Sequence, residues 1–329
     1  MNTVAFFNNK GGVGKTTLVY HVASMMADRG ETVLVVDLDP QANLTSMFLT
    51  EDRLETLWPA GEHPETIFGA LRPIIRGIGD VLTPHIEPVA PRLGLVVGDL
   101  ALSTFEDKLS DAWPRCHNRD ESAFRTMTAF YRAVRQAAMK FAATWVLIDI
   151  GPNLGAINRA ALIASEHVVI PLGPDLFSLQ GLRNLGPSLQ MWRSSWSELS
   201  SKNPDPQIEL PEGRIAPLGY VVMQHGMREN RPPKAYQRWI DRFPAAYRES
   251  VLNEQSSTTE TAEHDSYCLA MLKHYRSLMP MAMEARKPVF FLKPADGAIG
   301  AHVEATRKAY NDFLELSRRI ARGCGAQLP

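Results

Sequence analysis

Ten residues near the start of the chain carry its chemistry: Asn8, Asn9, Lys10, Gly11, Gly12, Val13, Gly14, Lys15, Thr16 and Thr17. Glycine permits backbone turns that a Cβ would block, so consecutive amides can point inward at phosphate oxygens while Lys15 adds a positive charge. Lys15 is expected at the β- and γ-phosphates and the Thr16 hydroxyl on Mg2+. The usual form of this loop has a glycine five residues before Gly14; here that position is Asn9, and a second lysine, Lys10, follows it. A glycine-rich turn with incidental lysines is the bland alternative, and the strand–loop–helix setting argues against it.

That setting consists of a short apolar run at 4–7 before the loop and helical spacing over 18–29 after it. Further runs rich in aliphatic and β-branched residues fall at 32–37, 93–97, 145–150, 167–172, 218–223 and 288–292, separated by amphipathic stretches. Strands alternating with helices predict an α/β fold, a mostly parallel sheet with helices on both faces, and successive apolar residues predict burial from both sides. Carboxylates stand where such strands end. Asp37 and Asp149 would act on Mg2+ through its waters, because magnesium takes few protein groups directly. Asp149 closes an apolar strand at the sheet edge where ligands bind, although a strand-terminating or capping role would leave the same pattern for it and for Asp39.

The 329 residues are read as a single phosphate-loop domain spanning 1–329, with 51–92, rich in proline and charge, as a helical insertion and 194–214 as an exposed loop. Helices are expected over 100–109 and 123–141, the second packing Phe124, Met127, Tyr131 and Val134 on one face. A net charge of -1 provides no global field toward nucleic acid or an anionic membrane, so such binding requires local patches. Cys116, Cys268 and Cys324 show no metal or redox spacing and suit a reducing cytoplasm. The first strand begins too close to Met1 for a secretory signal or a preceding DNA-reading module, and no apolar run approaches the roughly 18 residues of a spanning helix.

With Lys10 to Thr17 in view, the chain resembles the deviant Walker-A ATPases of the ParA/MinD group, whose signature is KGGxGK[ST][ST]. Asp37, Asp39, Pro40, Gln41 and Asn43 match that group's DxDPQxN element. The resemblance is close over 3–43, recurs over 145–182 and thins elsewhere. It implies ATP and Mg2+ as ligands, Lys10 through Thr17 as the nucleotide cradle with Thr17 near the α-phosphate, and Lys10 reaching the nucleotide of a second copy in an ATP-sandwiched dimer. It also implies that Asp39 polarises the attacking water, so that Lys10, Lys15 and Asp39 are the catalytic set. The group follows its Walker-B aspartate with two prolines; here Asp149 is followed by Ile150, Gly151 and Pro152, so one proline has become glycine.

Between 225 and 249 basic residues exceed acidic ones, with Arg228, Arg231, Lys234, Arg238, Arg242 and Arg248 interleaved with Tyr236 and Trp239. Such a segment contacts DNA phosphates without reading sequence, or it is a solvated basic face. Gln224 falls where the group places adenine contacts. The last helix, 302–322, has the spacing of a helix packed on the sheet, and no membrane partner is expected. The resemblance implies a cytoplasmic, nucleoid-associated ParA-like ATPase that positions cargo and is reset by an activating, ParB-like partner. The alternatives are a MinD-like membrane-associated ATPase and a small-molecule biosynthetic ATPase of the same fold.

Overall fold

The computed structural model describes residues 1–223, 233–255, 260–275 and 277–329. Strand β1 (Asn2–Phe6) runs into the glycine loop and α1 (Lys15–Asp28). There follow β2 (Val33–Asp37), α2 (Asn43–Phe48), α3 (Glu51–Leu57), α4 (Ile67–Arg76), β3 (Glu87–Ala90) and β4 (Leu93–Val96). After a 3-10 turn come α5 (Phe105–Cys116), α6 (Glu121–Met127), α7 (Ala129–Phe141), β5 (Trp145–Asp149), α8 (Ala156–Ile163) and β6 (His167–Leu172). The chain continues through α9 (Leu176–Ser200), β7 (Ala216–Met223), α10 (Pro233–Ile240), α11 (Phe243–Tyr247), β8 (Cys268–Leu272), α12 (Leu278–Ala285) and α13 (Ala301–Gly323).

The strands form one sheet in the order β3-β4-β2-β5-β1-β6-β7-β8, with every neighbouring pair parallel except β3 and β4. Every residue of β2 and β5 is buried, as expected for strands covered by helices on both faces. Side chains from α4 to α9 pack on one face of the sheet and those from α1 and α13 on the other. The register pairs Asp149 with Phe6 on one side and with Asp37 on the other. The start of the glycine loop and both carboxylates therefore emerge together at the carboxyl edge, where open α/β sheets bind ligands.

Five elements differ from the sequence reading, the first being the helix expected over 100–109, which is a 3-10 turn at Leu100–Thr104 leading into α5. Residues 288–292 are not a strand: Val289–Phe291 form a 3-10 turn whose Val289 and Phe290 fill the core beside α13, and the last strand is β8. The 51–92 segment holds α3 and α4 but ends in β3, the antiparallel edge. Residues 194–200 complete α9 in place of a loop, because Trp196 and Leu199 are buried there. The helix expected over 123–141 breaks at Thr128, whose hydroxyl bonds back to the Phe124 carbonyl at 2.8 Å, a contact that competes with straight helix. Phe124, Met127 and Val134 are buried as expected, with Tyr131 half-buried. The last helix, α13, packs on α1 through Phe313, Leu316 and Ile320.

Candidate functional site

The loop between β1 and α1 is shaped by its glycines. Gly12 and Gly14 take φ of 71° and 87°, in the left-handed region that favours glycine, and Gly14 caps α1 without a side chain. The first-turn amides of α1 and its dipole thus remain available to an anion. A Cβ on Gly12 would meet nothing within 4 Å, so its φ and not crowding is what calls for glycine. Val13 is buried and anchors the loop, while Asn8, fully buried, donates to the Pro171 carbonyl at 2.6 Å and accepts from the Lys10 amide at 3.0 Å. Asn8 ties the loop to the end of β6, a role its sequence position alone did not reveal.

Lys15, Asp37, Asp39 and Asp149 form one buried electrostatic group. Burial lowers the Lys15 ammonium, with Asp149 and then Asp39 opposing that shift. Burial pushes Asp37 up to about 7, against hydrogen bonds from the Thr45 amide and hydroxyl at 2.8 and 2.7 Å and from the Asp39 amide at 3.2 Å. Asp149 is held well above the usual carboxylate range by burial first and by Asp37 second; the Thr16 hydroxyl and Lys15 offset this in part. Both Asp149 oxygens are buried, and neither has a hydrogen-bond partner of normal geometry among the described residues. Two crowded acids beside a phosphate loop, one of them with both oxygens open, suit a hydrated Mg2+, whose waters donate hydrogen bonds and whose charge stabilises the ionised carboxylates. Asp149 is the freer of the two, since Thr45 already occupies Asp37.

Asp39, the third acid of this group, accepts from the Gln41 amide at 2.9 Å. Gly151 is its close neighbour: a Cβ there would lie 3.3 Å from Asp39 Oδ1, so glycine at this position gives the Asp39 carboxylate room. Gly151 does not take a positive φ, and its backbone carbonyl is held by Asn158 Nδ2 at 2.7 Å.

Lys10, unlike the buried Lys15, lies at the partly exposed rim of the loop. Its ammonium pairs with Asp175, about a third of each side chain being exposed, and lies 5.9 Å from the centre of the Phe177 ring. Asp175 also caps α9 by accepting from the Ser178 amide at 2.8 Å, which explains why an acid begins this helix. Sequence reasoning did not single out Asp175; an acid three residues before Ser178 at the start of a periodic segment was the available signal.

Arg228, Arg231 and Gln224 lie outside the described residues, and the Lys234 side chain is likewise not described. Arg238 and Arg242 are exposed, with guanidinium carbons 4.5 and 5.6 Å from the centre of the Trp239 ring. Arg248 is different: it pairs with the fully buried Asp265 at 2.7 Å and with Glu260 at 3.1 Å, so it belongs to the framework and not to a free basic surface.

A family model described as AAA domain, AAA_31, matches residues 1–199. Chromosome partitioning protein ParA of Caulobacter vibrioides is 29% identical over 196 residues, which cover 59% of this chain and 64% of that protein. The chain thus spans just under two thirds of that relative's length. Among solved structures, protein DIP2308 of Corynebacterium diphtheriae superposes with a TM-score of 0.72 at 22% identity, covering 98% of each chain. An ATP complex of McdA from Cyanothece superposes with a TM-score of 0.61 at 15% identity, covering 99% of this chain and 97% of that one. Both likenesses establish the fold.

Proposed function

This chain belongs to the AAA_31 family, the ParA/MinD-like P-loop ATPases, and from that membership we propose that it is an Mg-ATPase working as a dimerisation switch for positioning cargo on DNA. Lys15 and the amides of residues 11–16 hold the phosphates, and the Thr16 hydroxyl with Asp149 and Asp37 hold hydrated Mg2+. Mg2+, when bound, neutralises charge on the phosphoryl oxygens. Asp39, in the room Gly151 leaves, orients the attacking water.

The observation that carries this reading is the second loop lysine. Lys15 already serves the chain's own phosphates, whereas Lys10 faces the rim in a pair with Asp175, about a third of each side chain being exposed. Pairs of that exposure are worth about 0–1 kcal/mol, so a γ-phosphate presented by a second copy can displace Asp175 at little cost. ATP then favours the dimer because only the triphosphate supplies the new partner. Hydrolysis, accelerated by an activating protein, returns Lys10 to Asp175.

In the dimer, Arg238 and Arg242 from two copies would face DNA phosphates together. The C-terminal helix gives a membrane-anchored alternative little support, since its apolar residues Phe313, Leu316 and Ile320 are committed to the core. Co-sedimentation with non-specific duplex DNA tests the proposal. Binding should require Mg-ATP, fall away in Mg-ADP and at raised salt, and weaken at least about tenfold in Arg238→Glu/Arg242→Glu. Equal binding in both nucleotides would rule out a nucleotide-gated DNA surface.

A further inference from the structure

The segment between Asp149 and α8 faces the nucleotide loop: a Cβ on Gly11 would lie 3.9 Å from the Pro152 ring. Asn158 Nδ2 bonds the carbonyls of Gly151 and Asn153 at 2.7 and 2.6 Å, and Asn153 Oδ1 accepts from the Gly155 amide at 2.8 Å. Helix α8 then starts at Ala156, and Gly155 at the cap position before it has no side chain with which to cap it. The missing cap comes from another element. Glu106, in the first turn of α5, accepts from the Ala156 amide with one carboxylate oxygen and from the Ile157 amide at 2.9 Å with the other. Any Cβ at Gly155 would stand 2.6 Å from Glu106 Oε1, so Gly155 and Glu106 form a fitted pair. The contact is reinforced one turn on, where the Arg159 guanidinium lies 4.3 Å from the centre of the Trp113 ring of α5.

We propose that Glu106 is a positioning residue for ATP hydrolysis, holding the 150–155 segment in register with the phosphate loop and Asp39 by clamping the first turn of α8. The inference rests on the ATPase reading above. Two charge-assisted bonds from a carboxylate to helix-terminal amides fix both the position and the direction of that turn. The clamp matters here because Gly151 contributes no ring to stiffen the segment, so its order is supplied from its flanks. Ordering a loop that meets the γ-phosphate affects turnover more than ground-state binding, which the phosphate loop itself provides.

The test is kcat and KM for ATP in the full-length protein, with melting temperatures, for wild type, Glu106→Ala, Glu106→Gln and Gly155→Ala. Asp120→Ala serves as a control for loss of a helix cap as such, since Asp120 caps α6 through the Ala123 amide at 3.2 Å and pairs at 2.6 Å with Arg115, at the opposite end of α5 from Glu106. Glu106→Ala should lower kcat about tenfold and change KM less than about twofold. Gly155→Ala, which displaces the carboxylate, should do the same, whereas Glu106→Gln, keeping one acceptor, should recover part of the loss. Amide exchange at Ala156 and Ile157 should quicken in parallel. Asp120→Ala should lower the melting temperature and leave kcat intact. Should Glu106→Ala fail to fold, Glu106→Gln decides, its kcat falling severalfold in a folded protein. A wild-type kcat in folded Glu106 variants, or an equal loss in Asp120→Ala, overturns the inference while leaving the ATPase reading in place. Absence of any turnover in wild type removes both.

Discussion

The carboxyl of Asp149 is buried with both oxygens lacking normal hydrogen-bond partners, an arrangement that costs stability in the absence of nucleotide and metal. Its raised proton affinity, shared with Asp37, sets a pH dependence. The folded protein holds protons there that the unfolded chain has already released, so this site's contribution to stability falls as pH rises from about 4 through the value near 7 for Asp37. Nucleotide-free protein should gain melting temperature from this site near pH 5 and lose it near pH 8, with Mg-ADP restoring more at the higher pH. Asp149→Asn should raise the melting temperature at about pH 8, flatten the profile and cut ATP turnover at least about a hundredfold. A variant less stable than wild type at that pH would mean that the carboxylate is already satisfied in the apo protein. At this scale the sequence was most legible where chemistry is local. The Lys10 to Thr17 run and Asp149 could be read from neighbours, but Asp175, 165 residues from Lys10, could not.

Among the elements, α9 links the Lys10 rim to the rest of the molecule and depends on glycines for close approach. Gly181 leaves room for Asn9, and Gly186 passes against the 248–252 turn so closely that a Cβ would stand 1.9 Å from the Ser250 carbonyl oxygen. Alanine normally stabilises a helix interior by up to about 1 kcal/mol over glycine. Here the backbone clash should win, since overpacking costs about 1–3 kcal/mol. Thermal melting of Gly186→Ala should therefore drop by a matching amount with ATP affinity within about twofold of wild type; a rise in melting temperature would mean the turn moves aside freely. Two of the elements misread from sequence share a cause. The 288–292 run and β8 are both short and apolar, and period alone cannot tell a strand from a core-filling turn; both lie against α13, and β8 is the one that pairs in the sheet, with β7. Trp196 extends α9 beyond where polar residues suggested a loop, because one buried indole outweighs several exposed serines.

At the scale of the whole molecule, the parallel sheet brings the phosphate loop, Asp37 and Asp149 to one edge, while the 174–177 turn holds Lys10 at its margin. This general arrangement followed from alternating strands and helices in the sequence; the resting contact of Lys10 did not, because it depends on how the β6–α9 turn meets the loop. The central claim is that Lys10 exchanges Asp175 for the nucleotide of a second copy. Sedimentation velocity in Mg-ATP and Mg-ADP tests it most directly, using Asp39→Ala to slow hydrolysis in every sample and adding Lys10→Ala or Asp175→Asn. Asparagine keeps the cap on α9 and removes the charge that holds the lysine. The account predicts dimer only in Mg-ATP, loss of dimer with Lys10→Ala, and dimer at a severalfold lower protein concentration with Asp175→Asn. A monomer in both nucleotides, or a Lys10→Ala protein that dimerises as well as its parent, would contradict it.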